Sequence, residues 1–77
     1  LEYGTNTGEM HSDSIKTGQL AYVVDDLLAT GGTAAAAARL VERLSGKVCG
    51  FGFMVELTFL EGRSALRGYP IKALIEY

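Results

Sequence analysis

Apolar residues fall into three runs separated by polar, glycine-marked stretches. The first, Leu20-Ala21-Tyr22-Val23-Val24, is continuous, of strand length, and ends in two aspartates. A run without alternation suits a strand buried on both faces, as in parallel sheets. Leu27-Leu28-Ala29-Thr30-Gly31-Gly32-Thr33 then leads into a helix predicted over about 33–44. Ala34 to Ala38 supply helix propensity, and Ala37, Leu40, Val41 and Leu44 recur at the spacing of one apolar face. Thr33 is the expected N-cap and Gly46 the expected stop.

The second run, Val48 to Leu57, predicts another buried strand, with Cys49, Phe51, Phe53, Val55 and Leu57 on one side and Gly50 and Gly52 on the other. Paired glycines on one strand face imply that a helix or backbone comes close there. Thr58 to Tyr69 reads as a connection. The third run, Pro70 to Tyr77, predicts a last strand with Ile71, Ala73, Ile75 and Tyr77 inward and Lys72 and Glu76 outward, as at a sheet edge. Ahead of all three, LEYGTNTGEMHSDSIKTG offers no sustained period. It reads as a short strand end, an extended loop and a turn at Thr17-Gly18. Such a loop is either functional or a frayed terminus.

Strand, helix, strand, loop, strand implies a parallel α/β sheet with a flanking helix. Three core strands are too few for a whole doubly wound domain, so further strands are expected from another segment or a partner chain. The chain also opens at Leu1, without a methionine, as a fragment or processing product would. The expected organisation is one partial domain over residues 1–77, with an active-site loop region at 1–19 and a core at 20–77.

At 48% hydrophobic and 21% charged, the composition is that of a core-forming chain and not a disordered one. A net charge of −2 without a Lys/Arg cluster argues against nucleic acid as partner. No apolar run approaches the roughly 20 residues of a membrane span. The single cysteine, Cys49, excludes an internal disulfide framework and fits a reducing cytoplasm.

The chemistry concentrates in Val23-Val24-Asp25-Asp26-Leu27-Leu28-Ala29-Thr30-Gly31-Gly32-Thr33, at the carboxyl end of a buried strand and the start of a helix. In open α/β sheets that crevice takes the ligand. First-turn N–H groups and the helix dipole favour an anion there. Gly31 and Gly32 let backbone approach a phosphate, and Thr30 and Thr33 add hydroxyl donors. A Walker A loop would need a lysine, and none lies between Asp25 and Ala38; G-x-G-x-x-G is also missing. Asp25 and Asp26 would repel a phosphate beside them but accept hydrogen bonds from vicinal hydroxyls. Phosphate loop and hydroxyl-binding carboxylates together describe a cradle for ribose 5-phosphate; capping aspartates at a strand-to-helix turn are the plainer reading.

VVDDLLATGGTA resembles the phosphoribosyl pyrophosphate signature of type I phosphoribosyltransferases. LEYG at Leu1 to Gly4 and VELTFLEGRSALRGYP at Val55 to Pro70 narrow the resemblance to the adenine phosphoribosyltransferases, and IKALIEY is similar to the C-terminus of that family. The resemblance covers essentially all 77 residues. It implies the C-terminal part of a Rossmann-like parallel sheet and an enzyme of purine salvage that forms AMP and pyrophosphate from adenine and phosphoribosyl pyrophosphate.

By the same resemblance, Asp25 and Asp26 bind the ribose hydroxyls, and Ala29, Thr30, Gly31, Gly32 and Thr33 hold the 5-phosphate. Glu2 is the general acid/base at adenine N7, on a loop that closes over the site with Tyr3. Leu57 is expected to approach the purine unless it is an ordinary core leucine. Magnesium travels with the substrate and takes no ligand directly from the chain. The family is typically dimeric, which implies a homodimer in the cytoplasm. Its pyrophosphate loop and main adenine pocket precede anything matching LEYG, so these residues alone are expected to hold half a site and not to turn over.

Among the remaining polar residues, His11, Arg63 and Arg67 read as solvated, and Glu56 as structural. The alternatives are a phosphoribosyltransferase for another base, or a non-catalytic regulator of the same fold that binds phosphoribosyl pyrophosphate. A regulator would lack Glu2 and carry a basic DNA-binding segment.

Overall fold

The computed structural model describes residues 16–77 together with the backbone of residues 2–4. Strands β1 (Glu2–Gly4), β2 (Leu20–Leu28), β3 (Lys47–Glu56) and β4 (Ile71–Glu76) form one sheet in that spatial order. Every pairing is parallel. Helix α1 (Gly32–Arg43) connects β2 to β3, and two short 3₁₀ turns, Thr58–Leu60 and Gly62–Leu66, connect β3 to β4. The predicted α/β order is therefore present, with the LEYG strand end added as β1. The expected loop between Gly4 and Lys16, with His11, lies outside the described residues. No described helix is long and apolar enough to cross a membrane.

β2 runs four residues beyond the apolar stretch. Asp25, Leu27 and Leu28 pair with Phe53, Val55 and Glu56, and this pairing overrides the poor strand propensity of aspartate. α1 packs over β2 and β3 on one face of the sheet. It buries Ala34, Ala37, Ala38 and Val41, while the predicted Leu40 and Leu44 are only half-buried. Alanines bring the helix backbone close enough for Ala21, Val23, Phe51 and Phe53 to fill the space beneath. Each fully buried large side chain there contributes about 1.5–3 kcal/mol. The Phe51 ring also meets Tyr69 edge-on, with centroids 5.2 Å apart.

The side assignment along β3 needs one correction. Ala21 pairs with Val48 but Tyr22 pairs with Gly50, which leaves Cys49 as an extra residue in β3. A bulge of this kind resets the alternation. Val48 consequently joins Phe51 and Phe53 in the core, while Cys49 turns outward and donates its thiol to the Ala21 carbonyl at 3.3 Å. The Pro70 backbone carbonyl does come close to Gly50, 3.3 Å from where a Cβ would stand, but what covers both glycines is a side chain and not a helix. The ring of Tyr22 lies across both glycines, close enough that a Cβ on either would overlap it. Its hydroxyl donates to the Phe51 carbonyl at 3.0 Å. Beside Tyr22 on this face, Val24, Met54 and Leu74 remain exposed.

α1 ends differently from expectation as well. Its N-cap is Gly31, in the left-handed region at φ 88°, and Thr33 makes no capping bond. At the other end Ser45, not Gly46, takes the left-handed conformation. Ser45 N–H donates to the Glu42 carbonyl and Gly46 N–H to the Val41 carbonyl, the paired bonds of a Schellman stop. On β4, Ile71 and Ala73 are half-buried as predicted, but Ile75 and Tyr77 are exposed, because α1 covers β2 and β3 instead. The turn at Thr17-Gly18 is present, with Gly18 at φ 77°.

Candidate functional site

At the carboxyl end of β2 the chain turns through Ala29, Thr30 and Gly31 into α1. Residues Leu27 to Ala34 line a cleft of about 180 Å³ there. The first N–H groups of α1 have no carbonyl one turn earlier to receive them, and no acidic side chain lies in the first turn. Thr30, Gly32 and Thr33 are exposed, whereas Gly31 is buried. The cleft thus presents backbone donors, two hydroxyls and the positive end of a helix dipole. That combination receives an anion without a cationic side chain.

Asp25 and Asp26 are the sixth and seventh residues of β2, just before this turn. Asp25 is half-buried and Asp26 exposed. Asp25 Oδ1 accepts the Asp26 N–H at 2.8 Å, which holds the first carboxylate against the backbone of the second. Successive strand residues point to opposite faces, so the two carboxylates flank the strand end on both sides.

β1 lies alongside, with Glu2 opposite Tyr22, Tyr3 opposite Val23 and Gly4 opposite Val24. The backbone of Glu2 therefore stands three residues before Asp25 along the strand direction, about 10 Å. Leu57 is closer, since its N–H donates to the Leu28 carbonyl at 2.9 Å and its side chain is half-buried beside the cleft. Among the described residues, no three His, Cys, Asp or Glu side chains converge to hold a metal ion.

Sequence reasoning missed what stands behind the cleft. Glu56, the last residue of β3, is 3% exposed and is the one buried charged residue among those described. Arg63 grips its carboxylate with a two-pronged fork, Nε to Oε2 at 2.9 Å and Nη2 to Oε1 at 2.9 Å. These bonds raise the Arg63 pKa above its ordinary value, against partial desolvation of the guanidinium. Glu76, the cross-strand neighbour of Glu56, comes within 3.9 Å of the same guanidinium. Arg63 is thus paired and not simply solvated. The available signal was a carboxylate closing an apolar strand, which demands a partner.

No family profile matches the chain, but individual proteins do. It is 56% identical over all 77 residues to an adenine phosphoribosyltransferase from Alkaliphilus oremlandii, of which it covers 45%. A crystal structure of adenine phosphoribosyltransferase from Thermoanaerobacter pseudethanolicus superposes with a TM-score of 0.86 at 53% identity, over 88% of this chain and 40% of that one. The enzyme from Trypanosoma brucei, solved in complex with AMP, pyrophosphate and ribose-5-phosphate, gives a TM-score of 0.76 at 25% identity, over 82% of this chain and 31% of that one. The chain spans less than half the length of the relatives it matches. In sequence and in fold the chain is similar to part of the adenine phosphoribosyltransferase chain.

Proposed function

We propose that this chain supplies the ribose 5-phosphate half of an adenine phosphoribosyltransferase active site. The observation that carries the reading is the cleft itself, in which backbone donors at the start of α1 stand within a few residues of Asp25 and Asp26. The 5-phosphate takes the turn from Ala29 to Thr33, and the 2- and 3-hydroxyls donate to the two carboxylates. Ribose-5-phosphate is bound by the Trypanosoma brucei relative, which supports the same ligand here.

In the reaction, the purine nitrogen attacks the anomeric carbon as the bond to pyrophosphate breaks. One C–N bond replaces one C–O bond, and the ribose carries positive charge in passing. The cradle fixes the anomeric carbon by holding the opposite end of the sugar. Glu2 exchanges a proton at N7 of the base, relieving the charge that attack leaves there. Tyr3, next to Glu2 on β1, helps keep water from intercepting the sugar cation, and Leu57 borders the base.

The described residues form no cage for a metal ion. Magnesium carried by the substrate would supply charge neutralisation of the leaving pyrophosphate, and no described residue is assigned as its ligand. The whole enzyme works as a cytoplasmic homodimer in purine salvage.

AMP formation from adenine and phosphoribosyl pyrophosphate by the complete gene product, beside its Glu2→Ala variant, tests the reading. The parent should make AMP, and the variant should lose about 10²-fold or more of that rate. A parent that binds ribose 5-phosphate yet makes no AMP would instead be a regulator of the same fold.

A further inference from the structure

Two observations behind the cleft are independent of its ligand-facing residues. The first is a contact between glycines of successive loops. A Cβ on Gly31 would be driven into the Gly62 carbonyl oxygen and stand 2.8 Å from Ala65 Cβ. A Cβ on Gly62 would be driven into the Ala29 carbonyl oxygen and stand 2.7 Å from Leu28 Cδ1. The backbone of the turn after β3 therefore lies directly against the backbone of the turn after β2, with no side chain between them.

The second observation is the fork between Arg63, next in sequence to Gly62, and buried Glu56. With the Arg63 side chain 46% exposed, the pair contributes little net stability by charge alone. A forked guanidinium adds direction, since it accepts its partner in one plane and one register. Glu61, just before Gly62, sits in the left-handed region at φ 54°. That conformation is unfavourable for a residue with a side chain and persists only where its surroundings impose it. Leu66, 1% exposed, seals the far end of the segment in the core.

We propose that Glu56, Arg63 and Gly62 are positioning residues for the 5-phosphate turn. The ion pair fixes the Gly62 backbone, and that backbone sets the position of Ala29 to Gly31. None of the three touches the ligand. The proposal rests on the reading that the 5-phosphate binds at Ala29 to Thr33.

The test uses the complete gene product with Arg63→Lys, which keeps the charge and loses the fork, and Gly62→Ala. Ribose 5-phosphate binding by calorimetry is measured well below each melting midpoint, with KM values for both substrates. Both variants should bind ribose 5-phosphate about tenfold more weakly and show a matching rise in KM for phosphoribosyl pyrophosphate, with KM for adenine within about twofold. Val48→Ala, at the opposite end of β3, should lower the melting midpoint and leave those constants alone. Should Gly62→Ala not fold, Arg63→Lys decides alone. A folded Arg63→Lys variant that binds ribose 5-phosphate as tightly as its parent overturns the proposal, as does a loss shared equally by both substrates or by Val48→Ala. A parent that binds no ribose 5-phosphate overturns the site reading instead.

Discussion

Two turns leave the same end of the sheet, one after β2 and one after β3, and they are built on opposite principles. The turn after β2 keeps its polar groups outward. Thr30, Gly32 and Thr33 are exposed, and no side chain caps the helix that follows. The segment after β3 turns its polar groups inward on one another, with Arg63 forked onto Glu56. Leu57 N–H is spent on the Leu28 carbonyl. A ligand site needs donors that the fold leaves unsatisfied, and unsatisfied donors cannot hold their own backbone in place. The second segment supplies the rigidity that the first lacks.

The sharpest way to break this contrast is to strip the chemistry and keep the frame. Asp25→Asn with Asp26→Asn retains the Oδ1 acceptor for the Asp26 N–H and removes both charges. In the complete gene product kcat/KM for phosphoribosyl pyrophosphate should fall about 10²–10³-fold, with stability to denaturant within about 0.5 kcal/mol of the parent. Equal activity would mean that the carboxylates only shape the strand end.

A smaller effect separates two adjacent glycines. Gly31 has φ 88° and Gly62 at its back, so Gly31→Ala should destabilise by about 2 kcal/mol in urea unfolding. Gly32 begins α1, and a methyl there meets only Thr30 Oγ1 at 3.9 Å. Gly32→Ala should leave stability unchanged or raise it by up to about 1 kcal/mol, as helix propensity predicts. Its methyl intrudes on the cleft, however, and ribose 5-phosphate should bind about tenfold more weakly. If both substitutions behave alike, the division between frame and cleft is wrong.

The same contrast explains what was legible from residues alone. Asp25, Asp26 and the Thr-Gly-Gly-Thr turn stood out because they are adjacent, and their chemistry follows from residue type. The parallel order was readable from continuous apolar runs. The bulge at Cys49 was not, because hydrophobic period alone does not reveal an extra residue in one strand. Ser45 took the left-handed stop from Gly46, which residue type alone did not reveal because glycine is the usual choice there. The Glu56–Arg63 pair and the Gly31–Gly62 contact join residues seven and thirty-one positions apart. Such pairings exist only once β2, β3 and α1 are in place. Frame residues are set by tertiary contact, and cleft residues by their own chemistry.

The smallest expected effect tests whether the second segment is rigid to its end. Tyr69, which follows the second 3₁₀ turn, donates its hydroxyl to Glu42 on α1 at 2.7 Å. That bond raises the Tyr69 pKa, with burial and the Glu42 charge adding to the shift. A tyrosine whose pKa is higher folded than unfolded lends stability that is present in full below the unfolded value. That stability is lost as pH rises through the folded one. The parent should therefore exceed Tyr69→Phe in stability at neutral pH, and the gap should close above about pH 10. Phenylalanine keeps the edge-on contact with Phe51, so the difference isolates the hydroxyl. A gap that stays constant from neutral to alkaline pH would mean that the bond to Glu42 does not hold in solution. The segment's clamp would then end at Leu66, three residues earlier.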